Sequence, residues 1–232
     1  MNKHAALRRE DAVLRNDGGV LYRNYQEFLQ LQHLYNAAIK EIQMRLEVLN
    51  DEFSVKFSRS PIHHIESRLK SPQSILEKLQ RKGFPASLES AKKNVNDIAG
   101  VRVVCCYIDD VYRVEEMLLR QSDMELVKRQ DYIKTPNYNG YRSLHLDLRV
   151  PIFLSDRTEH VLAEVQLRTV AMDFWASLEH KLRYKKDIAP ELLNELADEL
   201  VNCSLESAKL DMKMQEIRQK IERAHQSHTP KD

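Results

Sequence analysis

The 232-residue sequence predicts a mixed α/β (α+β) fold, a mixed sheet flanked by helices, with a long helix at each end. Three observations predict it. Apolar positions step by threes and fours at both ends, from Leu21 to Leu49 and from Leu196 to Ile221, the spacing of amphipathic helices. Between them lie short runs rich in β-branched residues or alternating apolar with polar, as strands require. Five glycines and seven prolines, with 31% charged residues, leave few breaks and favour helix elsewhere.

Residues 1–19 carry many charges, no apolar period and Asp17-Gly18-Gly19, and read as a flexible tail. Over 20–50 the positions Leu21, Tyr25, Phe28, Tyr35, Ile39, Ile42, Leu46 and Leu49 predict the first long helix, stopping near Asn50-Asp51. Phe53, Val55 and Phe57 alternate until Ser60-Pro61 interrupts them, and Ile62 to Leu69 fits strand or helix. Ser71-Pro72 is a helix start, with serine as N-cap and proline at the first helical position. Ile75, Leu76 and Leu79 form the apolar face of that helix, which Gly83 and Pro85 end, and Ser87 to Val95 suits another short one. Val101 to Tyr107 is a buried strand, Asp109 to Arg120 a helix, Leu126-Val127 a strand, and 130–140 a loop. Two further strands, at Leu144–Val150 and Val161–Arg168, precede a helix marked by Ala171, Trp175, Leu178 and Leu182. The last helix runs from about Pro190 to Ala224, with Leu196, Leu200, Cys203, Ser207, Leu210, Met214, Ile217 and Ile221 as a heptad-like seam. Such a seam packs back on the domain or against another copy. The implied organisation is tail 1–19, helix 20–50, domain 51–188 and helical extension 189–232.

Composition excludes several classes. Lys+Arg 36 against Asp+Glu 35 gives +1, so net charge does not support a general RNA or DNA surface, and any anion site must be local. Three cysteines, two of them adjacent at Cys105 and Cys106, lack metal-ligand spacing and read as core thiols of a reducing cytosol. No apolar segment approaches a membrane span, so the expected location is cytoplasmic. A Walker-type loop, a GxGxxG turn and a His-Asp dipeptide are all missing from the sequence.

Function-bearing residues cluster on strand faces. Alternation puts Leu144, Leu146, Leu148 and Val150 on one face and Tyr141, Ser143 and His145 on the other. Likewise Val161, Ala163, Val165 and Leu167 oppose Glu164, Gln166 and Arg168. These polar faces belong either to an ordinary solvated hairpin or to a polar site. Ser74, Lys78 and Arg81 form a stripe on the Ser71-capped helix, with Arg68 and Lys70 just before it. The stripe is a solvated face or a phosphate site, since cationic side chains and free N–H groups converge at a helix N-terminus. Asp97 and Arg102 bracket a buried strand, as a structural ion pair or as a metal-binding aspartate with a basic neighbour. Two acids on strands of one sheet, Asp97 and Glu164, beside basic residues would suit magnesium-assisted phosphoryl chemistry.

Four segments then become recognisable in order and spacing: Asp97-Ile98-Ala99-Gly100-Val101-Arg102, Asn139-Gly140-Tyr141-Arg142-Ser143-Leu144-His145, Glu164-Val165-Gln166-Leu167-Arg168-Thr169 and Trp175-Ala176-Ser177-Leu178-Glu179-His180. Together they resemble the RelA/SpoT-type synthetase domain over about residues 55 to 186, in the form of a free-standing small alarmone synthetase. The resemblance implies a nucleotidyltransferase-like fold and transfer of pyrophosphate from ATP to the 3′-hydroxyl of GDP or GTP, giving ppGpp or pppGpp and AMP. It implies Mg²⁺ on Asp97 and Glu164, with Glu164 helping to deprotonate the hydroxyl. Arg68 and Arg102 would sandwich the adenine, and Lys70, Ser74, Lys78 and Arg81 would grip the ATP phosphates. Tyr141 would stack on guanine beside His145 and Gln166, with Asp173 near the guanine edge. A homotetramer through the terminal helices is the implied assembly. Where relatives carry basic residues, Gln130 and Asn137 are uncharged, Arg129 and Lys134 being the nearest substitutes, so the choice between GDP and GTP stays open. A tRNA 3′ end as acceptor, and an inactive nucleotide- or RNA-binding regulator, are the alternative readings.

Overall fold

The computed structural model describes residues 3–183 and 190–228. In chain order its elements are α1 (Lys3–Phe57), β1 (Ile62–Leu69), α2 (Pro72–Arg81), α3 (Leu88–Asn94), β2 (Ala99–Cys105), α4 (Ile108–Leu119), β3 (Glu125–Asp131), β4 (Leu144–Phe153), β5 (Thr158–Thr169), α5 (Val170–Arg183) and α6 (Pro190–His228). Five strands form one mixed sheet in the order β1-β2-β5-β4-β3. The central β2–β5 pair is parallel and the other pairs are antiparallel.

One face of this sheet is the core. Val101, Val103, Leu144, Leu146, Leu148, Ala163, Val165 and Leu167 are almost fully buried and meet apolar residues of α1 and α4. The helix stripe of α1 supplies Tyr35, Ile39, Ile42, Leu46, Leu49 and Phe53, and α4 supplies Val111, Val114 and Leu118. The alternation read from the sequence therefore identifies the buried face of β4 and β5 correctly. The opposite face carries the polar side chains.

Helix α1 differs from expectation at both ends. The stretch 3–19 is helical rather than a separate tail. No proline interrupts it, and a glycine in a helix interior costs only about 1 kcal/mol against alanine. At its other end α1 continues past Asn50-Asp51, because Phe53 falls one helical step beyond Leu49 and is buried, while Val55 and Phe57 are exposed. The 3.6-residue period wins over the apparent alternation. The helix ends where Ser58 adopts φ +54, its N–H donating to the Ser54 carbonyl at 2.9 Å, with Pro61 close behind.

The start of α2 is as expected. Extended Ser71 accepts a hydrogen bond from the Ser74 N–H, and Pro72 occupies the first turn. Ile75 and Leu79 are buried, whereas Leu76 is exposed. Strand β3 reaches Asp131, so the loop begins two residues later than expected, at Tyr132, whose N–H donates to the Ser143 carbonyl at 2.9 Å. Of the three cysteines only Cys105 is a core thiol; Cys106 is half-buried and Cys203 exposed. The boundary expected at 188/189 lies outside the described residues. Among the described residues no helix is long and apolar enough to cross a membrane.

Leu46, fully buried in α1, and Val48, exposed two residues later, give a direct check of this packing. Leu46→Ala should cost about 2–5 kcal/mol in urea unfolding, and Val48→Ala less than about 0.5 kcal/mol.

Candidate active site

The register of the sheet assembles the polar face row by row, since cross-strand partners share a face. Arg68 pairs with Gly100, Gly100 with Glu164, and Glu164 with Asp147. In the adjacent row Glu66 pairs with Arg102, Arg102 with Gln166, Gln166 with His145, and His145 with Gln130. A cavity of about 420 Å³ opens over β1, β2 and β5, lined by Arg68, Lys70, Asp97, Gly100, Arg102, Glu164 and Gln166 among others.

Asp97 is not on a strand, as the sequence reading had it, but in the turn that feeds β2. Its backbone neighbour Ile98 accepts a hydrogen bond from the Lys70 N–H at 2.8 Å, which ties this turn to the end of β1. The Asp97 carboxylate receives Lys70 Nζ on Oδ2 and Lys78 Nζ on Oδ1, each at 2.8 Å. Burial pushes its pKa up, but the two lysines outweigh burial and hold it below the usual value. Thus one lysine from the end of β1 and one from the last turn of α2 converge on a single carboxylate.

Glu164 sits in a second network, a closed ring of five side chains. Its Oε1 lies 3.2 Å from His145 Nδ1 and its Oε2 accepts from Gln166 Nε2 at 2.6 Å. Arg168 donates to Gln166 Oε1 and to the Tyr141 hydroxyl, both at 2.8 Å, and that hydroxyl lies 2.8 Å from His145 Nε2. An arginine can only donate and an ionised carboxylate can only accept, so the Tyr141 hydroxyl accepts from Arg168 and His145 Nδ1–H donates to Glu164. Burial raises the Glu164 pKa, but the hydrogen bond and charge of His145, with Gln166, more than offset it and keep the carboxyl below its usual range.

Several expected residues join these networks. Arg102 Nη1 pairs with Glu66 at 2.9 Å and approaches Asp173 at 3.5 Å. Arg68 is exposed, and among the described residues it has no ion-pair partner. Ser74 Oγ is engaged by the Ser71 hydroxyl at 2.9 Å, while Arg81 lies exposed in the last turn of α2. Asp173 is held by Arg168 at 3.1 Å, on the first turn of α5. Lys134 is not brought to Tyr141 and His145; its Nζ lies 5.2 Å from the Tyr112 ring centre on α4. Arg129 is taken by Glu115 and Asp131, at 2.6 and 3.3 Å.

Tyr132 was not expected in the site, and Arg168 was expected on its polar face but with no role of its own. Arg168 is 3% exposed and organises the ring around Tyr141. Alternation had already placed it with Glu164 and Gln166, but nothing local in sequence says that an arginine on this face is buried. Tyr132 packs edge-on to Tyr141 and His145, with ring centres 5.9 and 5.2 Å away, and accepts from Gln130 at 2.8 Å. It arrives from a segment that reads only as loop.

With this geometry in hand, comparison with known proteins decides the family: residues 67–189 match the region found in RelA/SpoT proteins. The chain belongs to the RelA/SpoT family. Among its relatives, the GTP pyrophosphokinase YwaC of Bacillus subtilis is 41% identical over 82% of this chain and 89% of its own. The GTP pyrophosphokinase YjbM of the same organism is 34% identical over 85% and 91%. Among solved structures, the B. subtilis small alarmone synthetase 1 bound to its product pppGpp superposes with a TM-score of 0.75 at 35% identity, covering 85% of this chain and 99% of that one. The same enzyme bound to AMPCPP gives 0.69 at 32% identity, over 85% and 99%.

In this RelA/SpoT-family chain both acids are held ionised by their partners. Their lowered values lie beneath the ordinary 3.8 of Asp97 and 4.5 of Glu164, so the stabilisation they contribute is complete above those ordinary values and is lost as pH falls through the lowered ones. In Lys78→Met, burial of Asp97 is opposed by one lysine instead of two. Carboxyl carbon-13 NMR should then show Asp97 titrating at higher pH than in the unmodified protein, and an unchanged titration would contradict the pairing.

Proposed function

We propose that the protein is a GTP/GDP diphosphokinase, transferring the β,γ-pyrophosphoryl group of ATP to the 3′-hydroxyl of GDP or GTP and releasing AMP. Two carboxylates and the cationic groups Arg68, Lys70 and Arg102 lining one cavity, with Lys78 of α2 on Asp97, carry this reading, together with 41% and 34% identity to named GTP pyrophosphokinases over most of the chain. The 3′-oxygen attacks the β-phosphorus, the bond from that phosphorus to the α–β bridging oxygen breaks, and AMP leaves with the electron pair. The hydroxyl proton passes to a base.

Glu164 is the base in this proposal. Its low pKa keeps it unprotonated at neutral pH but makes it a weak acceptor. That suffices for a loose, metaphosphate-like transition state, in which the attacking hydroxyl needs little early deprotonation. Lys70, Lys78 and Arg81, with the first turn of α2 at Ser74, face the donor phosphates and neutralise charge on the transferring group. Arg68 and Arg102, both lining the cavity, have the planar guanidinium that stacks on an adenine. Tyr141, with His145 and Gln166 on the neighbouring row, forms the acceptor side. Lys134 and Asp173 are drawn to Tyr112 and Arg168 and serve the guanine only through rearrangement.

The donor set fits Mg²⁺. Asp97 and Glu164 offer hard carboxylate oxygens to one cavity, and among the described residues no group of three or more His, Cys, Asp or Glu side chains forms an all-protein cage. Mg²⁺ is commonly held by one or two carboxylates and completes its shell with phosphate oxygens and water. Bound there it would draw charge from the β- and γ-phosphate oxygens. Both oxygens of Asp97 accept from lysines that this proposal also assigns to the donor phosphates.

Assembly is part of the proposal: copies associate as a tetramer through the terminal helices, in the cytoplasm where the nucleotides are. Met44 and Val48 of α1, and Leu210, Met214, Ile217 and Ile221 of α6, are all exposed. Apolar rows of this kind mark interaction surfaces.

Purified protein given ATP, GDP and Mg²⁺ should form AMP and guanosine tetraphosphate; failure to form either sinks the assignment. Glu164→Gln and Asp97→Asn should each lower turnover by about 10²-fold or more, while Tyr141→Ala should chiefly raise KM for the guanine nucleotide. Light scattering should report a tetramer that Ile217→Asp with Ile221→Asp dissociates, and a monomer at micromolar concentration would refute the assembly.

A further inference from the structure

Beyond Ser207, which the seam and the inward face share, helix α6 docks on the domain by the side that its apolar seam does not predict. Leu210, Met214, Ile217 and Ile221 of the seam are 42–58% exposed, whereas Ser204 and Asp211 are 4% and 5% exposed. The inward stripe is polar. Ser204 donates to the Gly140 carbonyl, Ser207 to the Ala171 carbonyl at 3.2 Å, and Asp211 accepts from the Thr169 hydroxyl. Further along, Gln215 accepts from the Asp109 N–H at 2.8 Å, and Arg218 pairs with Asp109. Positions 204, 207, 211, 215 and 218 advance by threes and fours, so they form one face of the helix.

Two of these contacts land one residue from the acceptor side. Gly140 precedes Tyr141, has φ +88, and lies so close to α6 that an added Cβ would meet Ser204 Cβ at 2.9 Å and Val201 Cα at 3.3 Å. The loop is tight, with Gly140 N–H donating to Asn137 O at 2.9 Å and Asn137 N–H to Tyr141 O at 3.1 Å. Displacement of the Gly140 carbonyl therefore moves Tyr141. Thr169 follows Arg168, the residue that holds the Tyr141 hydroxyl, and its own hydroxyl also accepts from the Met172 N–H at the start of α5. The backbone of Tyr141 and its arginine partner are thus each tied, one residue away, to the same helix.

We propose that α6 is a positioning element for the acceptor half of the site, with Ser204 and Asp211 as its positioning residues. Neither touches the cavity; each acts through a neighbour of Tyr141 or Arg168. Hydrogen bonds are directional, so a helix seated by them sets geometry in a way that a slippery apolar contact does not. This proposal rests on the function proposed above only in calling that half the acceptor side.

Ser204→Ala, Asp211→Ala and Asp211→Asn test it, the last retaining an oxygen that can accept from Thr169. Loss of one such hydrogen bond corresponds to about a tenfold change. Ser204→Ala and Asp211→Ala should raise KM for GDP about tenfold with KM for ATP within about twofold, and Asp211→Asn should recover most of the loss. Lys213→Ala, on the exposed side of α6, should match the unmodified protein. Equal change in both KM values, or none, overturns the proposal. Hydrogen exchange of residues 138–143 in the substrate-free protein separates this from failure of the catalytic assignment. Ser204→Ala should speed exchange there about tenfold while the β4–β5 core stays protected, and unchanged exchange overturns the proposal even if the protein makes no tetraphosphate.

Discussion

Two carboxylates must stay ionised in a cleft that takes them partly out of water, and the arrangement of the domain follows from that requirement. Burial alone would push both toward protonation, so each needs cationic or hydrogen-bonding partners held in place. Asp97 takes its partners from the end of β1 and from α2; Glu164 takes His145 from β4 and Gln166 from its own strand. These elements meet only because the strands lie in the order β1-β2-β5-β4-β3, with the parallel pair β2–β5 in the middle. The apolar face under α1 and α4 supplies the stability, and the polar face spends some of it on organised charge.

The charges of this face are paired with one another. Lys70 and Lys78 close on Asp97, Arg102 on Glu66, and Arg168 on Asp173. For the polyphosphate ligand that the proposed function requires, binding means exchanging these ion pairs and depends on what else satisfies Asp97. Under the proposed function this links donor phosphate and metal through a single carboxylate. Tyr141 is held by Arg168 and His145 in a closed ring that fixes its hydroxyl, and under the proposed function this positions it for the acceptor. Preorganisation of that kind lowers the ordering cost of binding.

The two faces of α6 divide the work of an amphipathic helix in an unusual way. Its polar face is inside, against Gly140, Thr169 and Asp109, and much of its apolar face is outside. The seating of this helix reaches the Tyr141 loop through the Ser204 contact with Gly140. Periodicity found the seam without telling which side of it would be covered, because a repeat of threes and fours defines a stripe and not its partner.

Local patterns in the sequence determined a good deal: the Ser71-Pro72 helix start, the buried alternation of β4 and β5, and the grouping of Tyr141 with His145 and of Glu164 with Gln166. These rest on capping and on the twofold strand period, which act over a few residues. The four RelA/SpoT-like segments pointed to the same cleft. Tertiary structure alone decided that Asp97 belongs to a turn, that Lys134 turns to Tyr112, that Asp173 answers Arg168, and that α6 docks by its polar side. The contact of Lys134 with Tyr112, the two lysines on Asp97 and the docking of α6 are choices of partner between residues far apart in the chain. Burial makes those choices, by charging a penalty to any polar group left without a partner, and burial is a property of the assembled fold.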